Sequence, residues 1–171
     1  MAKPLDIVIY PSPILEKVSE EVKFPLDNST TTLITDMWAT LAEKGIGLAA
    51  PQVGVNKQIC IIHLIADARP KGKKDLNFVM INPKIVFESQ VENLMVEGCL
   101  SFPGDFYEIW RPANISVEFF NEKGKKRTLK AKEWLARVIQ HEIGHLQGNL
   151  FIKMGGKKIK KDDLKGREVI D

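Results

Sequence analysis

The segment AKEWLARVIQHEIGHLQG carries His141, Glu142 and His145 as an H-E-x-x-H run inside a strongly apolar stretch. An α-helix turns once in about 3.6 residues, so positions i and i+4 share a face. Two imidazoles placed this way can hold one metal ion, with the adjacent carboxylate available to handle a proton. On a helical wheel Trp134 and Val138 fall on the histidine side, and Leu135, Ile139, Ile143 and Leu146 fall opposite. Arg137, Gln140 and Gly144 fill the remaining, polar arc. The spacing therefore predicts a central helix from about Ala131 to Gln147, with a core on one face and an apolar-walled pocket on the other. Glu142 lies between the two, where an unpaired charge is costly.

The run does not complete a site by itself. A catalytic centre of the zinc type wants three protein ligands and one open position. The extended motif H-E-x-x-H-x-x-G-x-x-H supplies its own third ligand. Here its glycine is present as Gly148, but the third histidine position is Phe151, which cannot bind metal. Of the remaining thiols and imidazoles, Cys60 and His63 lie within the apolar run QICIIHLI and read as packed strand residues. Cys99 differs: it follows Gly98 at the end of a β-patterned run, and a thiolate there can complete a tetrahedral His₂Cys set.

Two cysteines in 171 residues do not make a disulfide scaffold, and a reducing cytoplasm is the expected setting. The net charge of +3 is mild and sits partly in two Lys runs, KGKK and GKKIKK, read as solvated. Neither a sequence-specific nucleic-acid partner nor a membrane is expected, since no stretch approaches the roughly 20 apolar residues of a span. The start, MAKPLDIVIY, has no secretory signal pattern.

Along the chain, residues 1–27 read as extended and irregular, broken by Pro4, Pro11, Pro13 and Pro25. A helix is expected from about Ser29 to Lys44, capped by Asn28, Ser29 or Thr30 and stopped at Gly45. GIGLAAPQVGV (45–55) reads as a loop with no regular element, and Gln52 in it offers an amide donor. Strands are expected at 58–65, 78–89, 91–102 and 114–121, with a surface loop at 67–77 and a hairpin turn at 122–125. The stretch from about 154 to 171 reads as a polar, loosely ordered tail. The fold class is α+β, with mixed or antiparallel sheets packed around the HEIGH helix in a single domain over 1–171.

Three segments, GIGLAAPQ (45–52), EGCLS (97–101) and QHEIGHL (140–146), resemble in order and spacing the three signature motifs of peptide deformylase. The resemblance covers nearly all of the chain up to about residue 153. It implies an enzyme that removes the N-formyl group from the formyl-methionine of new polypeptides, releasing formate. It further implies metal ligation by Cys99, His141 and His145, with Glu142 as general base and acid. The Gln52 amide and the Leu100 backbone N–H would stabilise the oxyanion. Gly47 and neighbouring backbone, including Gly98, would pair with the peptide, and Ile46, Met95, Trp134 and Val138 would form or border the methionine pocket. The implied metal is one Fe(II), with zinc, nickel or cobalt found in isolated proteins. The implied partners are N-formyl-Met nascent peptides, near the ribosomal exit tunnel in a bacterial cytoplasm, with a monomer as the default state.

One position departs from the family pattern. Gly144 stands where the family carries an Asp that pairs with an Arg matching Arg111. That leaves Arg111 in need of another partner, and it keeps a catalytically weakened formyl-peptide binder among the readings. An H-E-x-x-H metallopeptidase of a different fold is the other alternative.

Overall fold

In the computed structural model, which describes residues 2–42, 44–64, 76–167 and 169–170, the apolar run 58–65 becomes strand β2 (Ile59–Leu64). Its side chains alternate between two cores, as the period of two in a strand requires. Cys60, Ile62 and Leu64 face one apolar cluster, and Ile59 and Ile61 face another. A strand buried on both faces has no polar side to present, which is why the sequence shows no alternation there.

Helix α1 (Asn28–Leu41) covers one of those faces. Ile34, Met37 and Leu41 pack with Leu48, Ile59, Ile61, Val79 and Ile81. The helix is capped by Asp27, one position ahead of the expected caps, whose carboxylate accepts the Thr30 N–H at 2.6 Å. Helix α2 (Glu133–Leu146) covers the other face, placing Val138, Ile139, Ile143 and Leu146 against Cys60, Ile62, Leu64 and Met80. Each fully buried aliphatic side chain in these layers contributes about 1.5–3 kcal/mol relative to exposure.

Strands β1 (Gly47–Ala49), β2, β3 (Leu76–Glu88), β6 (Asn114–Phe120) and β7 (Lys126–Lys132) form an antiparallel sheet in the order β1-β2-β3-β6-β7. A second sheet, β8-β5-β4-β9, contains β4 (Glu92–Glu97), β5 (Phe106–Pro112), β8 (Lys157–Ile159) and β9 (Val169–Ile170). Only the β4–β9 pairing in it is parallel. The expected α+β class with mixed and antiparallel sheets around the HEIGH helix is what the chain forms.

Several local expectations differ from the structure. The small-residue stretch 45–55 contains strand β1, paired with β2, and a 3₁₀ turn, Ala50–Val53. Glycine and alanine hide a strand because they lack the β-branched signature. The 91–102 run ends as a strand at Glu97, so Cys99 sits on the loop beyond it, and β5 lies in the FYEIWRP segment. The 78–89 run is one long strand with register shifts between Ile81 and Lys84 and between Ile85 and Phe87. The hairpin turn at 122–125 forms as expected, closed by Asn121 N–H donating to Lys125 O at 3.1 Å. Of the loop expected at 67–77, residues 67–75 lie outside the described residues and the rest begins β3.

The polar tail is not loose. Among its described residues Ile159 and Ile170 are buried anchors in a mostly polar run, and each carries a short strand onto the second sheet. The polar arc of α2 is itself inside the structure: Arg137, Gln140 and Gly144 are all buried. Among the described residues, no helix is long and apolar enough to cross a membrane.

Candidate metal centre

Strand β1 is one edge of the first sheet, and the loop after β4 carries Gly98, Cys99 and Leu100 in the second. Helix α2 runs beneath both. These three pieces bring Ile46, Gly47, Gln52, Gly98, Cys99, Leu100, His141 and Glu142 to the lining of one pocket. The irregular N-terminal segment fastens the two loops from outside. Val8 N–H donates to Gln52 O at 2.8 Å, and Tyr10 N–H donates to Ser101 O at 3.0 Å.

Cys99, His141 and His145 converge here, each offering one ligand atom, with those atoms within 4.8 Å of one another. No other group of three or more His, Cys, Asp or Glu with such convergence occurs among the described residues. His145 Nε2 lies 3.3 Å from Cys99 Sγ. Burial, followed by the charge on His141, holds the His145 ring well below its ordinary pKa, so it is neutral and has a lone pair to offer. One soft thiol and two imidazoles, all buried and arranged for a single centre, fit a divalent ion with an open position.

The orientation of His141 comes from Glu97. The Glu97 carboxylate accepts from His141 Nδ1 at 2.8 Å, which leaves Nε2 for a cation. Burial opposes charge on His141, but hydrogen bonds to Cys99 and Glu97 outweigh it and lift its pKa to about 10. A ring made basic toward a proton is also a stronger donor toward a metal.

Glu97 serves more than the histidine. Arg111 on β5 binds it with two bonds, Nε to Oε1 at 2.6 Å and Nη2 to Oε2 at 2.8 Å. Arg137 on α2 donates to Oε1 at 2.9 Å and reaches on to Ile109 O and to Asn93. Burial alone would raise the Glu97 pKa, but the hydrogen bonds from Arg111 and His141 hold it far below the carboxylate range. Glu97 and Arg137 are fully buried, and Arg111 is 5% exposed. The partner that Arg111 lacks at Gly144 is therefore Glu97. Residue 144 has little room for a side chain, because a Cβ there would stand 2.8 Å from the backbone oxygen of Asn149. That carbonyl belongs to the chain reversal after α2, where Asn149 N–H returns to Gly144 O at 2.9 Å.

Glu142 is buried above the ligands, and its Oε2 has no hydrogen-bond partner. Burial raises its pKa to about 7. A carboxyl poised near neutrality, with one oxygen unengaged, suits a group that takes up and returns a proton. It has space only because residue 47 is glycine: a Cβ at Gly47 would collide with the Glu142 carboxylate. Gln52 is oriented by its neighbour Ala49, whose N–H donates to Gln52 Oε1 at 2.9 Å. That fixes Nε2 as the end facing the site, 3.4 Å from Cys99 Sγ and 3.4 Å from Ser101 Oγ.

Among the expected pocket residues, Val138 is buried in one apolar cluster, and Ile46, Met95 and Trp134 pack against it. Leu100 and Gly98 lie on the pocket wall. Cys60 is fully buried, and burial pushes its thiol pKa well up, as suits an inert core residue. His63 meets Asn77 Oδ1 at 2.7 Å and the edge of Trp38, away from the centre. Sequence reasoning missed the roles of Glu97 and Arg137. The signals were a carboxylate ending an apolar strand and an arginine within a helix flanked by apolar residues.

The sequence matches the model of the polypeptide deformylase family over residues 4–161. The chain belongs to that family. It is 42% identical over 151 residues to the peptide deformylase of Rhizobium meliloti (strain 1021), covering 88% of this chain and 83% of the relative. Peptide deformylase 1 of Bacillus subtilis (strain 168) is 37% identical over 163 residues, 95% of this chain and 96% of its own length. The Ehrlichia chaffeensis peptide deformylase solved with actinonin superposes with a TM-score of 0.81 at 40% identity, covering 95% of this chain and 92% of that one. A class I type b peptide deformylase from Acinetobacter baumannii, solved with Met-Ala-Ser bound, gives a TM-score of 0.83 at 30% identity over 90% of this chain and 99% of that one. A metallopeptidase of a different fold is thereby set aside. The chain is an enzyme of the deformylase family, with a candidate metal site at Cys99, His141 and His145.

Two outcomes follow from this geometry. Glu97→Gln leaves two buried guanidiniums short of a counter-charge and should cost about 3–5 kcal/mol in chemical denaturation, while metal affinity falls about 10–100-fold. Gly144→Asp should lower the melting temperature rather than repair the site, because its Cβ meets the Asn149 carbonyl. A stabilised, more active Gly144→Asp protein would contradict the assignment of Glu97 as the sufficient partner of Arg111.

Proposed function

We propose that the protein hydrolyses the formyl amide at the N-terminus of formyl-methionyl peptides, giving formate and a free amine. The observation that carries this reading is the meeting, in one pocket, of a Cys–His–His donor set, an unengaged carboxyl poised near neutrality and an amide N–H₂ held toward the same point. A divalent ion bound by Cys99, His141 and His145 would supply Lewis acidity and a water of lowered pKa. We assign Fe(II) as the ion, with zinc, nickel and cobalt compatible with the same donors.

The chain's own residues account for the rest. Glu142 accepts the proton of the attacking water at its free oxygen. As the formyl carbon becomes tetrahedral, the Gln52 Nε2 and the Leu100 N–H donate to the oxygen that gains charge. Glu142 then returns the proton to the departing nitrogen as the C–N bond breaks. Ile46, Met95, Trp134 and Val138 provide an apolar wall suited to an unbranched thioether side chain, and Gly47 and Gly98 offer backbone to an extended peptide. That the Acinetobacter baumannii deformylase was solved with Met-Ala-Ser bound supports a methionyl peptide as the occupant.

The test is formate release from a formyl-Met tripeptide by protein purified anaerobically with its metal content measured. Glu142→Gln should keep the metal and the fold and lose turnover by about 10²–10⁴-fold. Near-normal activity in that variant would remove Glu142 from the mechanism. Cys99→Ala should lose most of its metal by elemental analysis, and full retention would remove Cys99 from the ligand set.

A further inference from the structure

The pocket just described has a ninth lining residue, Ile170 of strand β9. Without β9, strand β4 would be an open edge of the second sheet, as β1 is an edge of the first. The pocket lies between those edges, so an extended peptide entering it would add to β4 as a further strand. In the structure that place is taken by the chain itself. β9 pairs in parallel with β4, Val96 beside Val169 and Glu97 beside Ile170. The Gly98 N–H, the first backbone donor beyond β4, donates to Ile170 O at 2.6 Å.

The side chain follows the backbone. Ile170 is 3% exposed and belongs to the same apolar cluster as Val138, against which Ile46, Met95 and Trp134 pack. These are the residues proposed to receive the substrate's apolar side chain. With β9 in place, the recess at Gln52, Cys99, His141 and Glu142, which Ile170 helps to line, holds ≈ 10 Å³, about enough for one water molecule and too little for the reacting end of a peptide. The approach to β9 is tied down as well, by an ion pair between Arg167 and Glu108 on β5. Val169 beside Ile170 is only half-buried, so Ile170 is the side chain of β9 that docks fully.

We infer that β9 is an autoinhibitory strand: residues 169–170 occupy the β4 edge and the apolar pocket, and a peptide substrate must displace them to reach Glu142 and the metal ligands. This inference rests on the substrate reading above. It differs from a structural role for the segment in one respect. A strand that merely completes the sheet would help the enzyme, whereas a competing strand raises the apparent KM by the reciprocal of the fraction of molecules it leaves open.

The experiment compares the full chain with a form ending at Arg167 and with the point variant Ile170→Ser, which keeps the full length should the shortened chain fold poorly. With β9 seated in about nine molecules of ten, both variants should show a KM for a formyl-Met tripeptide about tenfold lower than the full chain, at equal kcat. A synthetic peptide of the sequence GREVID should inhibit the shortened form competitively. Unchanged or raised KM in both variants would overturn the inference and make β9 a supporting wall. Should no form release formate, the substrate reading fails by itself. The inference is then read by calorimetry: GREVID binding to the shortened form and displaced by Met-Ala-Ser supports it, and absence of binding or of displacement overturns it.

Discussion

One buried carboxylate holds this structure's chemistry in place. Glu97 ends β4, takes two bonds from Arg111 on β5, one from Arg137 on α2, and one from the His141 ring. It therefore joins the second sheet to the helix that carries both candidate imidazoles. Removing a buried charge from such a cluster exposes its partners to the full desolvation cost, so the four groups stand or fall together. The clamp also sets the Cys99 loop, because Cys99 follows Glu97 by two residues and inherits the position of the strand end.

The first sheet supplies the other half. Its β2 strand is covered by α1 on one side and α2 on the other, so α2 is held along its length by the layer formed with Cys60, Ile62 and Leu64. Against that rigid background, the edge strand β1 brings Gly47 close to Glu142 and, through Ala49, fixes which end of the Gln52 amide faces the centre. The raised pKa of Glu142 comes first from burial, so the packing that excludes water also holds this carboxyl near neutrality.

Much of this was legible in the sequence because it is local. The HEIGH spacing places two imidazoles on one helix face whatever the rest of the chain does, and the missing third ligand pointed outward to Cys99. What was hidden depends on contacts between distant segments. Glu97 reads as one more acid until Arg111 and Arg137 are brought to it. The polar arc of α2 shows no partners in the sequence, whereas Arg137 and Gln140 are both buried with partners. Gly144 reads as a loss, since sequence cannot show the Asn149 carbonyl that leaves no room there. Strand β9 was invisible because two apolar residues, Val169 and Ile170, after a polar run give no periodic signal.

One sulfur and two imidazoles, held by the Glu97 cluster, are offered to a single metal ion. X-ray absorption on the metal-loaded protein measures this directly. The expected result, with zinc loaded, is one sulfur at about 2.3 Å and two imidazole nitrogens at about 2.0–2.1 Å. A first shell of nitrogen and oxygen alone, with no sulfur scattering, would contradict it.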